Sequence, residues 1–224
     1  REIAERRGLP IIEDGAHAHG SSIKNFEIGA NSLAAILSFF PTKVINGSEG
    51  GAIITNSYDL ANYSDAWRNQ GKIGQVYGND HYILGGSNRM PEINCVIALN
   101  SFLKLDNEIK TRNRISNEII NSVPNIYFTP FDHMKRFSNY KLIGRKRGVQ
   151  GSDIENELKN NGVFCGGAVY RKPCHVQPVF KNCKEGIESL EGTENFCREH
   201  FCLPIHSKIS FKQVKYMIKL LRKL

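Results

Sequence analysis

Two short apolar runs near the start of the chain place the strongest constraint on its fold. Residues 10–13 form the first run, and residues 34–40 form the second, in which apolar side chains occupy nearly every position. Consecutive apolar residues are typical of a strand that is covered on both faces, as in a sheet that has helices on either side. We therefore expect both runs to be buried strands of an α/β layer fold.

The remaining patterns alternate between strand and helix. The first half adds a strand, a helix, a glycine-rich loop and one long helix, at residues 51–55, 59–69, 71–88 and 91–120. The second half adds a strand, a helix that Ser152 should cap, a helix, and an amphipathic helix, at residues 140–144, 152–160, 194–201 and 210–224. We assign these strands and helices from the spacing of their apolar residues and from residues that are typical of helix starts. We expect a large domain over residues 1–122 and a small α/β domain over residues 123–224.

Composition narrows the classes of partner. The formal net charge of +8 suits either a solvated surface or attraction of an anionic partner such as a phosphorylated small molecule. The basic residues are scattered without a nucleic-acid motif, so we expect no nucleic-acid partner. No apolar run approaches the roughly 20 residues that span a bilayer, and no secretory signal opens the chain. We therefore expect a cytoplasmic protein without a membrane partner.

The cysteines and the first residues add two expectations. The six cysteines form no C-x-x-C pair, which indicates reduced thiols rather than a zinc site. Residues 1–10 read as the last turns of a helix, a glycine stop and the approach to a strand that would lack earlier neighbours. We expect the sequence to be truncated at its N-terminal end.

Two residues at the ends of the apolar runs suggest chemistry. Lys43 follows the second run and precedes a glycine-rich turn at residues 47–51. A lysine amine becomes a nucleophile when burial or a neighbouring cation favours its neutral form. Asp14 ends the first run, at the strand edge where open α/β sheets bind ligands. A carboxylate in that place can keep a pyridine nitrogen protonated, as pyridoxal phosphate chemistry requires.

The residues alone leave other interpretations open. Lys43 suits an ordinary surface lysine, and Asp14 suits the cap of a turn. Glu13, Asp14, His17 and His19 are possible metal ligands, but no further cluster of ligands accompanies them, so we expect no metal.

The order of the motifs resembles the DegT/DnrJ/StrS-type PLP-dependent sugar aminotransferases, over essentially the whole chain. The motifs that carry the resemblance are Glu13-Asp14-Gly15-Ala16-His17-Ala18-His19-Gly20, Ser38-Phe39-Phe40-Pro41-Thr42-Lys43, Glu49-Gly50-Gly51 and Asn88-Arg89-Met90. Asp14 and Lys43 lie 43 − 14 = 29 positions apart, as expected in that family. The resemblance implies the type I fold of PLP-dependent transferases, which is aspartate aminotransferase-like, with part of the large domain and the small C-terminal domain.

The resemblance also implies a role for each matching residue near the cofactor ring. Lys43 would hold pyridoxal 5'-phosphate as an internal aldimine and later move the proton. Asp14 would pair with the pyridine nitrogen, Ala16 would pack on one face of the ring, and His17 would lie near the ring hydroxyl.

Two further residues would bind the phosphate. Ser38 would give it a hydroxyl, and Asn88 would reach the cofactor phosphate of the partner subunit in a homodimer with shared active sites. From the residues alone, Ser38 is equally an ordinary strand hydroxyl, His17 a core histidine and Asn88 a helix cap.

The implied activity is transfer of an amino group from an amino acid, by analogy glutamate, to a nucleotide-linked keto-sugar. The family has an N-terminal portion ahead of the matched region, which supplies a second phosphate-binding turn. The alternative is therefore a truncated or degenerate member that acts as a cofactor-binding or interaction module.

Overall fold

The computed structural model describes residues 1–74, 80–180, 182 and 190–224. The chain forms two compact units. The first comprises Arg1–Ile109 and Asp132–Tyr140, and the second comprises Lys110–Phe131 and Lys141–Leu224. These units divide the chain differently from the predicted domains at residues 1–122 and 123–224, and the predicted domain boundary stays a prediction.

The first unit contains a three-stranded sheet and a short hairpin. Its described strands, in chain order, are β1 (Ile12–Asp14), β2 (Ser22–Ile23), β3 (Phe26–Glu27), β4 (Ala34–Ser38) and β5 (Gly51–Ile54). In the sheet, β1 runs parallel to β4, and β4 runs antiparallel to β5. β2 and β3 pair with each other. The three predicted strands of this region are confirmed, with ends that differ by no more than a few residues.

One face of this sheet is less covered than the sequence predicts. Ala35 in β4 is fully buried, whereas Ile36 is 41% exposed. Ile36 pairs in register with Ile53 of β5, which is 54% exposed. Paired residues lie on the same face of a sheet. The expected cover on both faces is therefore wrong for the part of the chain that the structure describes.

The helices of the first unit are α1 (Glu2–Arg7), α2 (Tyr58–Arg68), α3 (Glu92–Phe102) and the first residues of α4 (Leu105–Ser122). From Lys110 onward, α4 belongs to the second unit. α2 confirms the helix predicted at residues 59–69, and the hydroxyl of Ser57 caps it by accepting the N–H of Leu60. The glycine-rich segment before α3 includes residues 75–79, which lie outside the described residues. Its described part holds a single β-bridge, between Ser87 and Asn69.

The single long helix predicted at residues 91–120 is wrong, because the chain leaves the helix between α3 and α4. Leu103 at the break is 74% exposed, whereas Leu105 and Ile109 in α4 are 9% and 3% exposed. Both pack with Val44 and Ala98 in the core of the first unit. The break therefore turns the first apolar positions of α4 toward that core.

The second unit has its own antiparallel sheet. Its strands are β6 (Tyr127–Phe128), β7 (Leu142–Arg145) and β8 (His200–Leu203), with β7 in the middle. Its further helices are α5 (Gly151–Asn160), α6 (Glu191–Glu199) and α7 (Phe211–Leu221), with short 3₁₀ turns at Cys174–Val176 and Pro178–Phe180. Phe201 in β8 is fully buried, and Leu158 of α5 and Leu221 of α7 belong to the same core.

Two predicted helix ends in the second unit are wrong. Ser152 lies inside α5, which starts at Gly151 after an N-cap residue that makes no side-chain cap. A Cβ atom on Gly151 would overlap the carbonyl oxygen of His200, so this helix start packs directly on the backbone of β8. Phe201, expected at the end of a helix, lies in β8, whose four residues are all buried and pair with β7.

α7 confirms the amphipathic helix predicted at the C-terminal end. Ser210 and Gln213 form a capping box at its start. Its buried face consists of Val214, Met217, Ile218 and Leu221, so the apolar stripe packs within the unit. Among the described residues, no helix has both the length and the apolar character needed to cross a bilayer.

Replacement of Phe201 tests the core of the second unit. Phe201 is 0% exposed and Phe164 is 69% exposed. Because the first change leaves a cavity, we expect Phe201→Ala to lower the free energy of unfolding by about 3–5 kcal/mol. The matched change Phe164→Ala should cost less than about 1 kcal/mol. Urea unfolding followed by circular dichroism measures both, and equal losses would contradict this account of the core.

Candidate functional site

Asp14 and Ser38 lie at one edge of the first sheet. Because β1 and β4 are parallel, their carboxyl ends meet at that edge, and Asp14 pairs in register with Ile36. Ser38 follows two residues later, so it lies on the same face as Asp14, about 7 Å further along the strand. The N–H of Gly15 donates to the carbonyl of Ile36 at 2.9 Å and continues the pairing to this edge.

Lys43 lies in a loop that hydrogen bonds of Phe39 close. The N–H of Phe39 donates to the carbonyl of Gly50 at 2.9 Å, and the carbonyl of Phe39 accepts the N–H of Gly47 at 2.8 Å. Within the loop, the N–H of Lys43 donates to the carbonyl of Phe40 at 2.9 Å. Val44, the next residue, is 6% exposed. The backbone of Lys43 is therefore held from both sides, and its side chain is half-buried.

The glycines after Lys43 allow Met90 to pack against this loop. Gly50 has φ +120°, and a Cβ atom there would lie 2.5 Å from the sulfur of Met90. A Cβ atom on Gly47 would lie 2.9 Å from the terminal methyl of Met90. These contacts explain why the turn requires glycine. They also connect the Asn88-Arg89-Met90 motif with the segment that carries Lys43.

Tyr140 contacts three residues around the candidate site. Its ring lies 4.2 Å from the ring of His17 between centroids, and the Lys43 Nζ lies over it at 4.9 Å from its centroid. Its hydroxyl is 2.9 Å from the hydroxyl of Thr42. Sequence reasoning missed Tyr140 and assigned it to a strand. No local signal could have found it, because 98 positions separate it from Thr42.

His19 is a second residue with an unexpected setting. It is 0% exposed, and no described residue forms a hydrogen bond with either of its ring nitrogens. Its ring centroid lies 6.3 Å from that of Phe39. Burial lowers the pKa of His19, the charge of Lys43 lowers it further, and the nearby backbone of Ser38 acts in the opposite direction. Burial therefore favours the neutral form of His19.

Asp14 and Ser38 also form local hydrogen bonds, which agree with their alternative interpretations as a turn cap and an ordinary strand hydroxyl. One oxygen of the exposed Asp14 carboxylate accepts the N–H of Ala16 at 3.0 Å, so it also caps a turn. The Ser38 hydroxyl accepts the N–H of Phe40 at 3.4 Å.

The structure brings together no group of three or more possible metal ligands in the described ranges. None of the described cysteines forms a disulfide, and Cys183 lies outside those residues.

Among the described residues, Asn88 forms no hydrogen bond with Asp14, Ser38 or Lys43. It is exposed, and its N–H donates to the carbonyl of Arg68 at 2.8 Å. With Trp67 and Met90 it lines an open, mostly apolar cavity that does not include Asp14 or Lys43. Pro91, not Asn88, is the N-cap of α3. The predicted role of Asn88 toward a partner subunit stays a prediction.

The donor set at this sheet edge fits pyridoxal 5'-phosphate. Asp14 offers a carboxylate, Lys43 offers a half-buried amine, and Ser38 offers a hydroxyl. Ala16, two residues after Asp14, offers a small half-buried side chain. A carboxylate, an amine and a hydroxyl are the groups that a protonated pyridine, an aldehyde and a phosphate require. The role of each residue stays a prediction.

The buried state of His19 predicts a pH dependence. Because the fold lowers the pKa of His19, the unfolded chain binds the proton more readily than the folded chain. The free energy of unfolding therefore keeps its full value above about pH 6.5 and decreases as the pH falls below it. We expect the free energy of unfolding of the His19→Leu variant to decrease less steeply than that of the wild type between pH 7 and pH 5. Urea unfolding followed by the fluorescence of Trp67, the single tryptophan, reports on this unit. The control is exposed His133→Leu, and equal slopes for His19→Leu and wild type would contradict the prediction.

The packing of Met90 on Gly50 predicts a second effect on stability. Gly8 also has positive φ, but nothing lies within 4 Å of a Cβ atom there. We expect Gly8→Ala to cost about 1–2 kcal/mol and Gly50→Ala about 1–3 kcal/mol more, because its new methyl group meets Met90. In a Met90→Ala background the excess cost of Gly50→Ala should decrease. An unchanged excess in urea unfolding would rule out Met90 as the cause.

The chain is similar to known proteins over nearly its full length. The pattern of the DegT/DnrJ/EryC1/StrS aminotransferase family matches residues 1–222. A "pleiotropic regulatory protein" of Geobacillus stearothermophilus is 30% identical over 97% of this chain and 58% of its own length. A UDP-4-amino-4,6-dideoxy-N-acetyl-beta-L-altrosamine transaminase of Campylobacter jejuni is 25% identical over 96% of this chain and 58% of its own length.

Solved structures share the fold of this chain. The structure of S. venezuelae DesV in complex with a ketimine intermediate has a TM-score of 0.86 and 27% identity, over all of this chain and 60% of that one. The chain thus spans less than two thirds of the length of these relatives. The similarity confirms the predicted fold of PLP-dependent transferases. With the family pattern matched over nearly its full length, the chain belongs to the DegT/DnrJ/EryC1/StrS aminotransferase family.

Proposed function

We propose that this protein is a PLP-dependent aminotransferase that moves an amino group from an amino acid to a nucleotide-linked keto-sugar. One observation carries the proposal: the parallel strands bring Asp14 and Ser38 to one edge, and Lys43 is held in the loop that follows Ser38. Family membership supports the reaction class, and the transaminase of Campylobacter jejuni supports a sugar-nucleotide substrate. Glutamate is the proposed donor by analogy with the family.

Lys43 would be the catalytic residue. Pyridoxal phosphate, when bound, would supply the electron sink for the pair that is left when the α-proton of the donor departs. The Nζ of Lys43 would take that proton and return it, acting in turn as base and acid. The half-buried position of its side chain and the fixed backbone of its loop support this role. An amine that is held in place lowers the entropy cost of each proton transfer.

The other residues would orient the cofactor. The Asp14 carboxylate would hold the proton of the pyridine nitrogen, and the Ser38 hydroxyl would donate to the phosphate. Ala16 would leave room for the flat ring, and His17 would face the ring hydroxyl. The common sheet edge supports the first pair of roles, and the contact of His17 with Tyr140 beside Lys43 supports the last.

The proposal extends to substrates and assembly. The net charge of +8 would favour a nucleotide diphosphate. We also propose a cytoplasmic homodimer in which Asn88 reaches the phosphate bound by the partner subunit. The exposed position of Asn88 is compatible with that role.

A second candidate function is a cofactor-binding or interaction module without full catalysis. The observation that favours it is the length of the match, because the chain spans 58% of the two curated relatives. If that share omits a wall of the site, the chain would bind cofactor without turnover.

Covalent trapping tests the cofactor and separates the two functions. We expect the purified chain, incubated with pyridoxal phosphate and then borohydride, to carry the reduced cofactor on Lys43, as peptide mass spectrometry would detect. Lys43→Ala should abolish the label. Lys24→Ala, at an exposed position of the same unit, should retain it. Asp14→Ala should reduce labelling at a fixed cofactor concentration by at least about tenfold, since a charge-assisted bond contributes about 1.5–3 kcal/mol.

The outcomes separate the proposals. Label on Lys43 together with amino transfer from glutamate to a nucleotide-linked keto-sugar supports the aminotransferase. Label without transfer supports the binding module. Absence of label on the wild-type chain, or label that persists in Lys43→Ala, overturns the role of Lys43.

A further inference from the structure

We propose that Tyr140 is a positioning residue, whose ring holds the amine of Lys43 and the imidazole of His17 in fixed places beside the cofactor. The importance of this contact for catalysis rests on the proposed function. The contact itself involves only residues of the first unit and can be tested without the cofactor.

The geometry joins two residues that the family resemblance places around the same ring. The Lys43 Nζ lies 4.9 Å from the centroid of Tyr140, within the range of a cation–π contact. On the same ring, His17 packs at 4.2 Å between centroids with an angle of 33° between the planes. One aromatic ring therefore contacts both side chains, and a movement of that ring would disturb both.

The hydroxyl and the ring of Tyr140 both make contacts beside Lys43. It lies 2.9 Å from the hydroxyl of Thr42, the residue before Lys43. The ring also packs against the apolar core that contains Val44 and Ile45, the two residues after Lys43. Tyr140 thus contacts the residue before Lys43 and the amine itself, and it packs on the core to which the residues after Lys43 belong.

The segment before Tyr140 is built into the first unit. Ser138 is fully buried; its hydroxyl donates to the carbonyl of His17 at 2.9 Å, and its N–H donates to the Ser21 hydroxyl at 3.0 Å. Asn139 is also fully buried and has φ +48°, a left-handed conformation that asparagine tolerates better than most residues. A non-glycine residue held in that region indicates that its surroundings determine the backbone. The contacts of Ser138 and Asn139 with the first unit therefore fix the backbone that carries Tyr140.

Reductive methylation with ¹³C-formaldehyde tests the contact on the chain without cofactor. The ring of Tyr140 should shift the dimethyl-lysine signal of Lys43 upfield of that of exposed Lys24 in the NMR spectrum. Tyr140→Phe keeps the ring and should keep the shift. Tyr140→Leu should lose the shift and raise the methylation rate of Lys43 about two- to fivefold relative to Lys24, the factor that a cation–π contact is worth at a partly exposed site.

The contact between Tyr140 and His17 provides a second test. Carbethoxylation of His17 by diethyl pyrocarbonate should also accelerate in Tyr140→Leu and not in Tyr140→Phe. Met90→Leu, which alters the same core, is the control for general loosening. A role limited to core packing would change both rates similarly in Met90→Leu and Tyr140→Leu, and that result would overturn the proposal.

The wild-type measurement keeps the test decisive if Tyr140→Leu does not fold. A Lys43 signal without an upfield shift in the wild-type and Tyr140→Phe chains would overturn the proposal by itself. Failure here is also distinct from failure of the proposed function. Borohydride trapping on Lys43 with no ring-current shift would sustain the function and reject the role of Tyr140. A clear shift with no trapping would do the reverse.

Discussion

The parallel pairing of β1 with β4 is the constraint on which the candidate site depends. With Asp14 opposite Ile36, the carboxylate and the hydroxyl of Ser38 share one face and one edge. A slip of a single residue would turn every side chain of β1 to the opposite face. The hydrogen bond from Gly15 to Ile36 continues this register by one residue, so the alignment is secured at the place where the carboxylate lies.

The antiparallel strand β5 adds the second part of the arrangement. Because Gly51 pairs with Ser38, the chain that leaves β4 must return within the 51 − 38 − 1 = 12 residues between them, and Lys43 lies in that loop. Phe39 closes the loop by bonding to both Gly47 and Gly50. Close approach of Met90 is possible only because these positions lack a Cβ atom. Gly47 and Gly50 thus allow Met90 to pack against the loop that carries Lys43.

The part of the site that local sequence encodes could be predicted, and the part that depends on distant contacts could not. Asp14 and Lys43 follow apolar runs and Ser38 lies within one, and a polar residue at the end of a strand is a local pattern. The break before Leu105 and the strand position of Phe201 depend on which core each residue joins, and both were predicted wrongly. Tyr140 is separated from Thr42 by 98 positions. His19 looked like a possible ligand, but its complete burial became evident only in the fold.

The position of Asp132–Tyr140 in the first unit has a consequence for the order of synthesis. This segment belongs to the first unit, although the residues on both sides of it belong to the second. A ribosome that has made residues 1–109 has therefore not yet supplied Ser138, which binds His17, or Tyr140, which covers Lys43. The surroundings of the lysine can be completed only after the helix α4 has emerged. Until then, a nascent chain would present Lys43 to chaperones and proteases without the ring of Tyr140 beside it.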